Sequence, residues 1–336
     1  MKPVYAPNYY RDFKCIAADC RHSCCVGWEI DVDAQSLLRY EAVAGELGER
    51  LVACIDREAD PPCFILTPDE RCPFLNENGL CDLITELGEE SLCHICADHP
   101  RFRNVLPDRV EVGLGLCCEA AADLILSQTE ITEIKALPPA EACLDRFAHD
   151  EAEAMDAATA EALDLRDAAV SIAQDRRYSL GERAKMLCAA VGRRRCYPDF
   201  TYGEWAEILL DTEELDPSRR SLFEALATLS ESPDEELAAE YGIPYEKLLV
   251  YFLYRYVAAE GRCLEDWRLC TRIGFAVLST ILVHAMARAT GLTDLPGLCE
   301  LARVYSSEME YSEENLDYLW DILQEDTPLF DTDRLS

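Results

Sequence analysis

Basic residues are scarce. Lysine and arginine number 31 against 65 aspartates and glutamates, a formal charge of −34 over 336 residues. Phosphate binding needs a basic face, so this balance argues against nucleic-acid binding. It favours basic partners or metal ions. No run of about 18 apolar residues spans a bilayer; the longest candidate, 273–286, is short and contains His284. The opening MKPVYAPNYYRDFKC lacks the basic and then apolar pattern of a secretory leader, which predicts a cytoplasmic chain with reduced thiols. No phosphate loop, no Ser/His/Asp order and no regular internal repeat stands out. A strand–glycine–helix pattern at Arg109–Val112, Gly113 and Gly115 lacks the third glycine of a dinucleotide loop. The two glycines instead suggest a tight turn delivering Cys117 and Cys118 beside the earlier cysteines.

Cysteine is abundant. Of 18 cysteines, twelve lie before residue 119: Cys15, Cys20, Cys24, Cys25, Cys54, Cys63, Cys72, Cys81, Cys93, Cys96, Cys117 and Cys118. The spacing Cys15-x4-Cys20-x3-Cys24-Cys25, then Cys72-x8-Cys81 and Cys93-x2-Cys96, is that of metal ligands. A two-residue gap lets two sulfurs face one ion, and distant pairs complete the shell. One four-thiolate site uses only four of these eight, so the pool Cys15, Cys20, Cys24, Cys25, Cys72, Cys81, Cys93 and Cys96 serves more than one centre or more than one role. Zinc and iron–sulfur ligation both remain open. Cys54, Cys63, Cys188 and Cys263 are read as small buried hydrophobes. Cys188, Cys196, Cys263, Cys270 and Cys299 are expected outside the centre. His99 is a ligand or a donor to sulfur, or else an ordinary structural histidine; Tyr5, Tyr9, Tyr10 and Trp28 either hold a cation or pack.

The pattern predicts a mainly α fold. A cysteine-rich part, 1–125, carries a short β-hairpin around 63–82, and a helical part, 126–336, follows across a soft boundary. Asp33 starts a helix running towards Cys54, Gly79 makes a turn between Cys72 and Cys81, and Gly88 ends a short helix. Helical periodicity marks 118–127, 141–175, 181–191, 203–211, 219–230, 244–260, 265–290 and 312–324. The Ala/Asp/Glu-rich stretch 151–176 reads as an exposed amphipathic helix, and Leu248, Leu249, Phe252, Leu253, Tyr256 and Val257 as a buried stripe.

The segments Cys20-Arg-His-Ser-Cys24-Cys25, Cys72-Pro-Phe-Leu-Asn-Glu-Asn-Gly-Leu-Cys81 and Cys93-His-Ile-Cys96-Ala-Asp-His-Pro-Arg101 resemble a cysteine-cluster family of zinc- or iron-chelating proteins. Phe13–Asp31 and Leu92–Arg101 resemble, more closely, the flagellin lysine N-methylases. That resemblance implies S-adenosylmethionine-dependent methylation of flagellin lysine ε-amines, a 4Fe–4S cluster on the cysteine motif, and a cytoplasmic location that leaves room for peripheral membrane association. The triplet Cys-x3-Cys-x2-Cys of radical enzymes is absent, because Gly27 stands at its third position. The alternative is a non-catalytic zinc- or iron-binding, redox-responsive interaction protein.

Overall fold

The computed structural model describes residues 1–142, 145–230, 232–233, 241–258 and 266–325. Cys263 and residue 265 of the expected helix lie outside the described residues. The chain is 54% helical with 14 helices and a small sheet among the described residues, so it is mainly α as expected. It divides into two compact units. A cysteine-rich unit comprises Lys14–Arg101 with Cys118–Ala120, and a helical unit comprises Met1–Phe13, Phe102–Cys117 and Ala121–Ser336. The first 13 residues thus belong with the helices, a division different from one cut near residue 125.

In chain order the elements are β1 (Val4–Pro7), α1 (Ala34–Glu41), α2 (Glu46–Ala53), β2 (Ile55–Asp56), β3 (Cys63–Phe64), α3 (Asp82–Leu87), α4 (His94–Asp98), β4 (Arg101–Val105) and β5 (Val110–Leu114). Then come α5 (Glu119–Leu126), β6 (Ile134–Ala136), α6 (Pro139–Ala142), α7 (Ala157–Ala173), α8 (Leu180–Ala190), α9 (Tyr202–Asp211) and α10 (Arg219–Leu226). The chain continues with α11 (Ile243–Tyr256), α12 (Asp266–Thr290), α13 (Leu295–Glu310) and α14 (Glu313–Glu325).

The cysteine-rich unit has a small core of Ile30, Val32, Tyr40, Leu51, Phe64, Phe74 and Leu83. The helix expected from Asp33 to Cys54 is two helices. Asp33 caps α1 through the Ser36 amide, and Gly45, at φ +82°, separates α2 from it. A positive φ is cheap only for glycine. The hairpin expected at 63–82 is also corrected: β3 pairs antiparallel with β2, upstream of it. The downstream turn exists as a single antiparallel bridge, Leu75 to Cys81, with Gly79 at φ +73°.

The helical unit carries a four-stranded sheet in the order β4–β5–β1–β6. β1 runs parallel to β5, with Val4 opposite Val110, and antiparallel to β6. None of the pairing to β1 was expected from the sequence, because strands of three to five residues leave little periodic signal and β1 lies far from β5 and β6 in the chain. Gly113 lies inside β5 rather than in a tight turn: a Cβ there would fall 2.2 Å from the Phe102 ring. Its absence lets the aromatic side chain cover the strand.

Helix α7 corrects the expectation of an exposed helix. It buries Ala162, Leu163, Arg166, Ala169, Val170 and Ala173. Arg166 forks onto the Glu111 carboxylate of β5, its NH2 group 3.0 Å from Oε1. The stripe from Leu248 to Val257 is buried as expected. Its neighbour α12 holds a stretch, Arg268–Thr290, long and apolar enough to cross a membrane, yet 89% of that window is buried inside the protein. It is the central helix of this unit, packed against α8, α10, α11, α13 and α14. Helix α13 escaped the periodicity because Pro296 and Gly297 look like breakers. Asp294 caps it through the Gly297 amide, and proline in a first turn costs no hydrogen bond.

Glu111→Ala should strip the Arg166 guanidinium of its buried partner and leave only the exposed Asp167 carboxylate, lowering stability by up to about 3–5 kcal/mol in denaturant unfolding. The double replacement Glu111→Leu with Arg166→Met should recover most of that loss, because it removes both charges together.

Candidate thiol centre

Five of the predicted thiols meet in the core of the cysteine-rich unit. Cys72 and Cys93 are fully interior, and Cys25, Cys81 and Cys96 pack against the same cluster. The backbone explains the meeting. The Cys72 amide donates to the Cys25 carbonyl at 2.8 Å, and Val26 bridges Arg71, so the first and second cysteine segments lie side by side. The turn at Asn76–Leu80 folds Cys81 back towards Cys72; Asn76 Oδ1 accepts from the Asn78 and Leu80 amides. Asp33 draws in the third segment by accepting from the His94 amide at 2.9 Å, and Tyr40 donates to the Ser91 carbonyl at 2.9 Å. Cys93 stands at the N-terminus of α4, one turn before Cys96.

Cys15, Cys20 and Cys24 lie outside that core cluster. Cys15 is exposed. Cys20 Sγ lies 3.8 Å from Glu119 Oε2, a carboxylate that also takes the Arg21 guanidinium at 2.7 Å. Cys118 is among the charges that Cys24 feels, whereas Cys117 bonds the Tyr311 phenol of the helical unit. Cys118 belongs to the cysteine-rich unit and Cys117 to the helical unit. All sixteen described cysteines are thiols.

Thiol beside thiol polarises the pairs. Cys24 donates to Cys25 and pulls it down to about 7 against the opposing effect of burial, with Ser23 and Arg71 assisting; Cys24 itself is pushed up. Cys96 does the same for Cys93, which is lowered while Cys96 rises. Burial pushes Cys72 up to about 12 and also raises Cys81 and Cys20. Cys25 and Cys93 are thus the more acidic member of each pair, and Cys24 and Cys96 the less acidic. Sulfur of this kind is soft-metal ligand chemistry. Among the described residues no three Cys, His, Asp or Glu side chains stand arranged around one ion.

The remaining candidates divide. Burial, with Arg101 nearby, pushes His99 down to about 4, and its ring packs on Trp28 with centroids 5.7 Å apart. That is a structural histidine's setting. Tyr5, Tyr9 and Tyr10 belong to the helical unit rather than to the thiols; Tyr5 stacks under the Arg109 guanidinium at 5.3 Å. Sequence reasoning missed a polar knot in the helical unit. Glu310 accepts from the Tyr251 and Tyr256 phenols, each at 2.8 Å, and pairs with Arg255 at 3.1 Å. The Tyr251-x3-Arg255 spacing on an apolar helix was the available signal.

No protein-family model matches the chain, and no solved structure does. Curated proteins do. A 133-residue stretch, 38% of this chain, is 26% identical to Lysine-N-methylase of Salmonella choleraesuis (strain SC-B67) and to that of Salmonella typhimurium (strain LT2). The same length of chain is 26% identical to the flagellar biosynthetic protein FliU of Salmonella muenchen. Over that stretch the chain is similar to proteins named for lysine N-methylation and for flagellar biosynthesis. The match covers 33% of each Lysine-N-methylase and 79% of FliU, so it spans about a third of the length of the first two relatives.

Asp33 ties the third cysteine segment to α1. Burial opposes its charge, but the His94 and Ser36 amides and the Ser36 hydroxyl hold it down to about 2. A depressed carboxyl stabilises the fold above its unfolded value near 3.9 and loses that contribution as pH falls through 2. Asp33→Ala should cost about 1–2 kcal/mol at neutral pH. Urea unfolding of the two proteins should converge as the pH drops from about 4 towards 2.

Proposed function

We propose that the chain is a protein-lysine N-methylase that acts on flagellin in the cytoplasm. It would use S-adenosylmethionine as methyl donor and hold a 4Fe–4S cluster on thiols of the cysteine-rich unit. The observation that carries this is the gathering of Cys25, Cys72, Cys81, Cys93 and Cys96 from three separate segments, in a chain whose relatives are named lysine N-methylases. The donor chemistry supports this reading, since cysteine sulfurs are the ligands of iron–sulfur clusters and structural zinc, though the described side chains stand in no three-donor arrangement and would have to close around the group on binding. These five are the inner pool for a cluster, with Cys24 hydrogen-bonded to Cys25 at its edge and Cys15 and Cys20 further out. When bound, such a cluster supplies an electron-transfer or Lewis-acidic iron centre.

The chain's own contribution begins with charge. A lysine-bearing substrate is drawn to a surface with a net charge of −34. The ε-amine, with an ordinary pKa near 10.4, must shed its proton before nitrogen attacks the methyl carbon. A carboxylate or phenol at the substrate site performs that step.

Structural zinc is the second reading. It is favoured by the position of Cys72 and Cys93, which are 6% and 0% exposed, inside the core and away from any substrate.

The protein should be purified without oxygen, assayed for iron, sulfide and zinc, and incubated with flagellin and S-adenosylmethionine. Mass spectrometry should show flagellin lysines gaining steps of about 14 Da per methyl group. Cys93→Ser should remove iron, visible absorbance and methylation together, because a hydroxyl is a poor substitute for a soft thiolate. Stoichiometric zinc, its release on unfolding and an unmodified flagellin would establish the structural-zinc reading instead.

A further inference from the structure

A second set of thiols lies in the helical unit, and neither the centre nor the methylase reading uses it. Cys188 sits on α8, Cys196 in the segment that follows α8, and Cys270 on α12. They are 3%, 0% and 2% exposed. Cys270 Sγ lies 3.7 Å from Cys196 Sγ, and Cys196 also bonds Cys188. Cys196 therefore stands between two potential partners contributed by two different helices.

The approach is built into the backbone. Gly274 lies one turn beyond Cys270 on the same helix. A Cβ there would fall 1.9 Å from the Cys196 carbonyl oxygen and 3.1 Å from the Cys196 Cβ. Only glycine lets the Cys196 segment press on α12 at this point. The Cys270 thiol is pulled down to about 7, first by its hydrogen bond with Cys196 and then, against burial, by the Arg193 guanidinium. A cation beside a thiol favours the nucleophilic thiolate, and because Cys270 is 2% exposed the oxidant reaches it through local opening of the helical unit. Small apolar filling accounts for one of these residues. It does not account for three sulfurs in a row beside an arginine.

We propose that Cys196 and Cys270 form a reversible disulfide on exposure to a hydroperoxide, with Cys188 able to take over the bond to Cys196. The Cys270 sulfur attacks one peroxide oxygen; an S–O bond forms, the O–O bond breaks, and the departing oxygen leaves as water or alcohol after taking a proton. The Cys196 sulfur then attacks the Cys270 sulfur. An S–S bond forms, the S–O bond breaks, and hydroxide leaves with the Cys196 proton as water. Two thiols are oxidised by two electrons and the peroxide is reduced by two. Attack of Cys188 on Cys196 would release Cys270 and shift the link to α8, and a small thiol reductant restores all three. The product ties the Cys196 segment to α12 and leaves a record of oxidant in the helical unit.

The test does not depend on the methylase reading, because it measures a covalent link rather than methyl transfer. The folded, full-length protein is treated with hydrogen peroxide, quenched with N-ethylmaleimide and digested with trypsin. Arg193, Arg194 and Arg195 separate Cys188 from Cys196, so each pairing gives a distinct cross-linked mass. The Cys196–Cys270 link should exceed any link to Cys299, a buried thiol that contacts Asp123, by at least about tenfold, as proximity dictates. Dithiothreitol should erase it. In Cys270→Ser the Cys188–Cys196 link should replace it; Cys270→Ala serves if the serine variant does not fold. Recovery of Cys196 and Cys270 as alkylated thiols, while cysteines before residue 119 oxidise, would overturn the proposal. So would Cys196 pairing indiscriminately with Cys299 or with the cysteine-rich unit.

Discussion

Sulfur packed against sulfur is the constraint on which the cysteine-rich unit depends. Its apolar core is small, and Cys72 and Cys93 complete it. As neutral thiols they behave as compact hydrophobes. Ionised, they would repel one another in a poorly solvated space, which is why burial raises Cys72 and Cys81. The unit relieves part of that conflict by pairing: in Cys24–Cys25 and Cys93–Cys96 one thiol keeps its proton and donates it to the other. A cation or cluster would relieve the rest, since several thiolates at one point need positive charge between them. Packing and ligation thus make opposite demands on the same residues, and a bound soft metal would answer both.

The helical unit solves a different problem. Its long central helix is apolar enough to resemble a membrane span, and it is covered by neighbouring helices. Around it the chain buries charges in answered pairs. Glu111 meets Arg166; Glu310 meets Arg255 and two phenols; Glu246 takes both Arg176 and Arg183. Each carboxylate gains several charge-assisted hydrogen bonds, which offset desolvation and fix one packing arrangement. Most of the acidic excess remains outside, where it costs little and gives a basic substrate a field to follow.

Local chemistry survived translation into structure wherever it needed only neighbours in sequence. Asp33 as a cap, Gly79 and Gly88 at turns, and the stripe from Leu248 to Val257 were legible for that reason. Spacing drew attention to eight thiols, of which Cys25, Cys72, Cys81, Cys93 and Cys96 share one core; it could not set them apart from Cys15, Cys20 and Cys24, because burial is not written in spacing. Cys117 and Cys118 look equivalent in the sequence and face different surroundings. Cys188 read alone is a small hydrophobe; only the fold sets it beside Cys196 and Cys270.

The sequence by itself determined the mainly helical class, the density of thiols in the first third and the strongly acidic surface, since composition and short periodicities carry that information. Tertiary structure alone decided that β1 joins a sheet with β5 and β6, that Gly113 yields to Phe102, that Arg166 finds Glu111, and which sulfurs touch. These are contacts between segments tens to more than a hundred residues apart. Their partners are chosen by burial and shape in the folded core, and no local pattern in the chain specifies them.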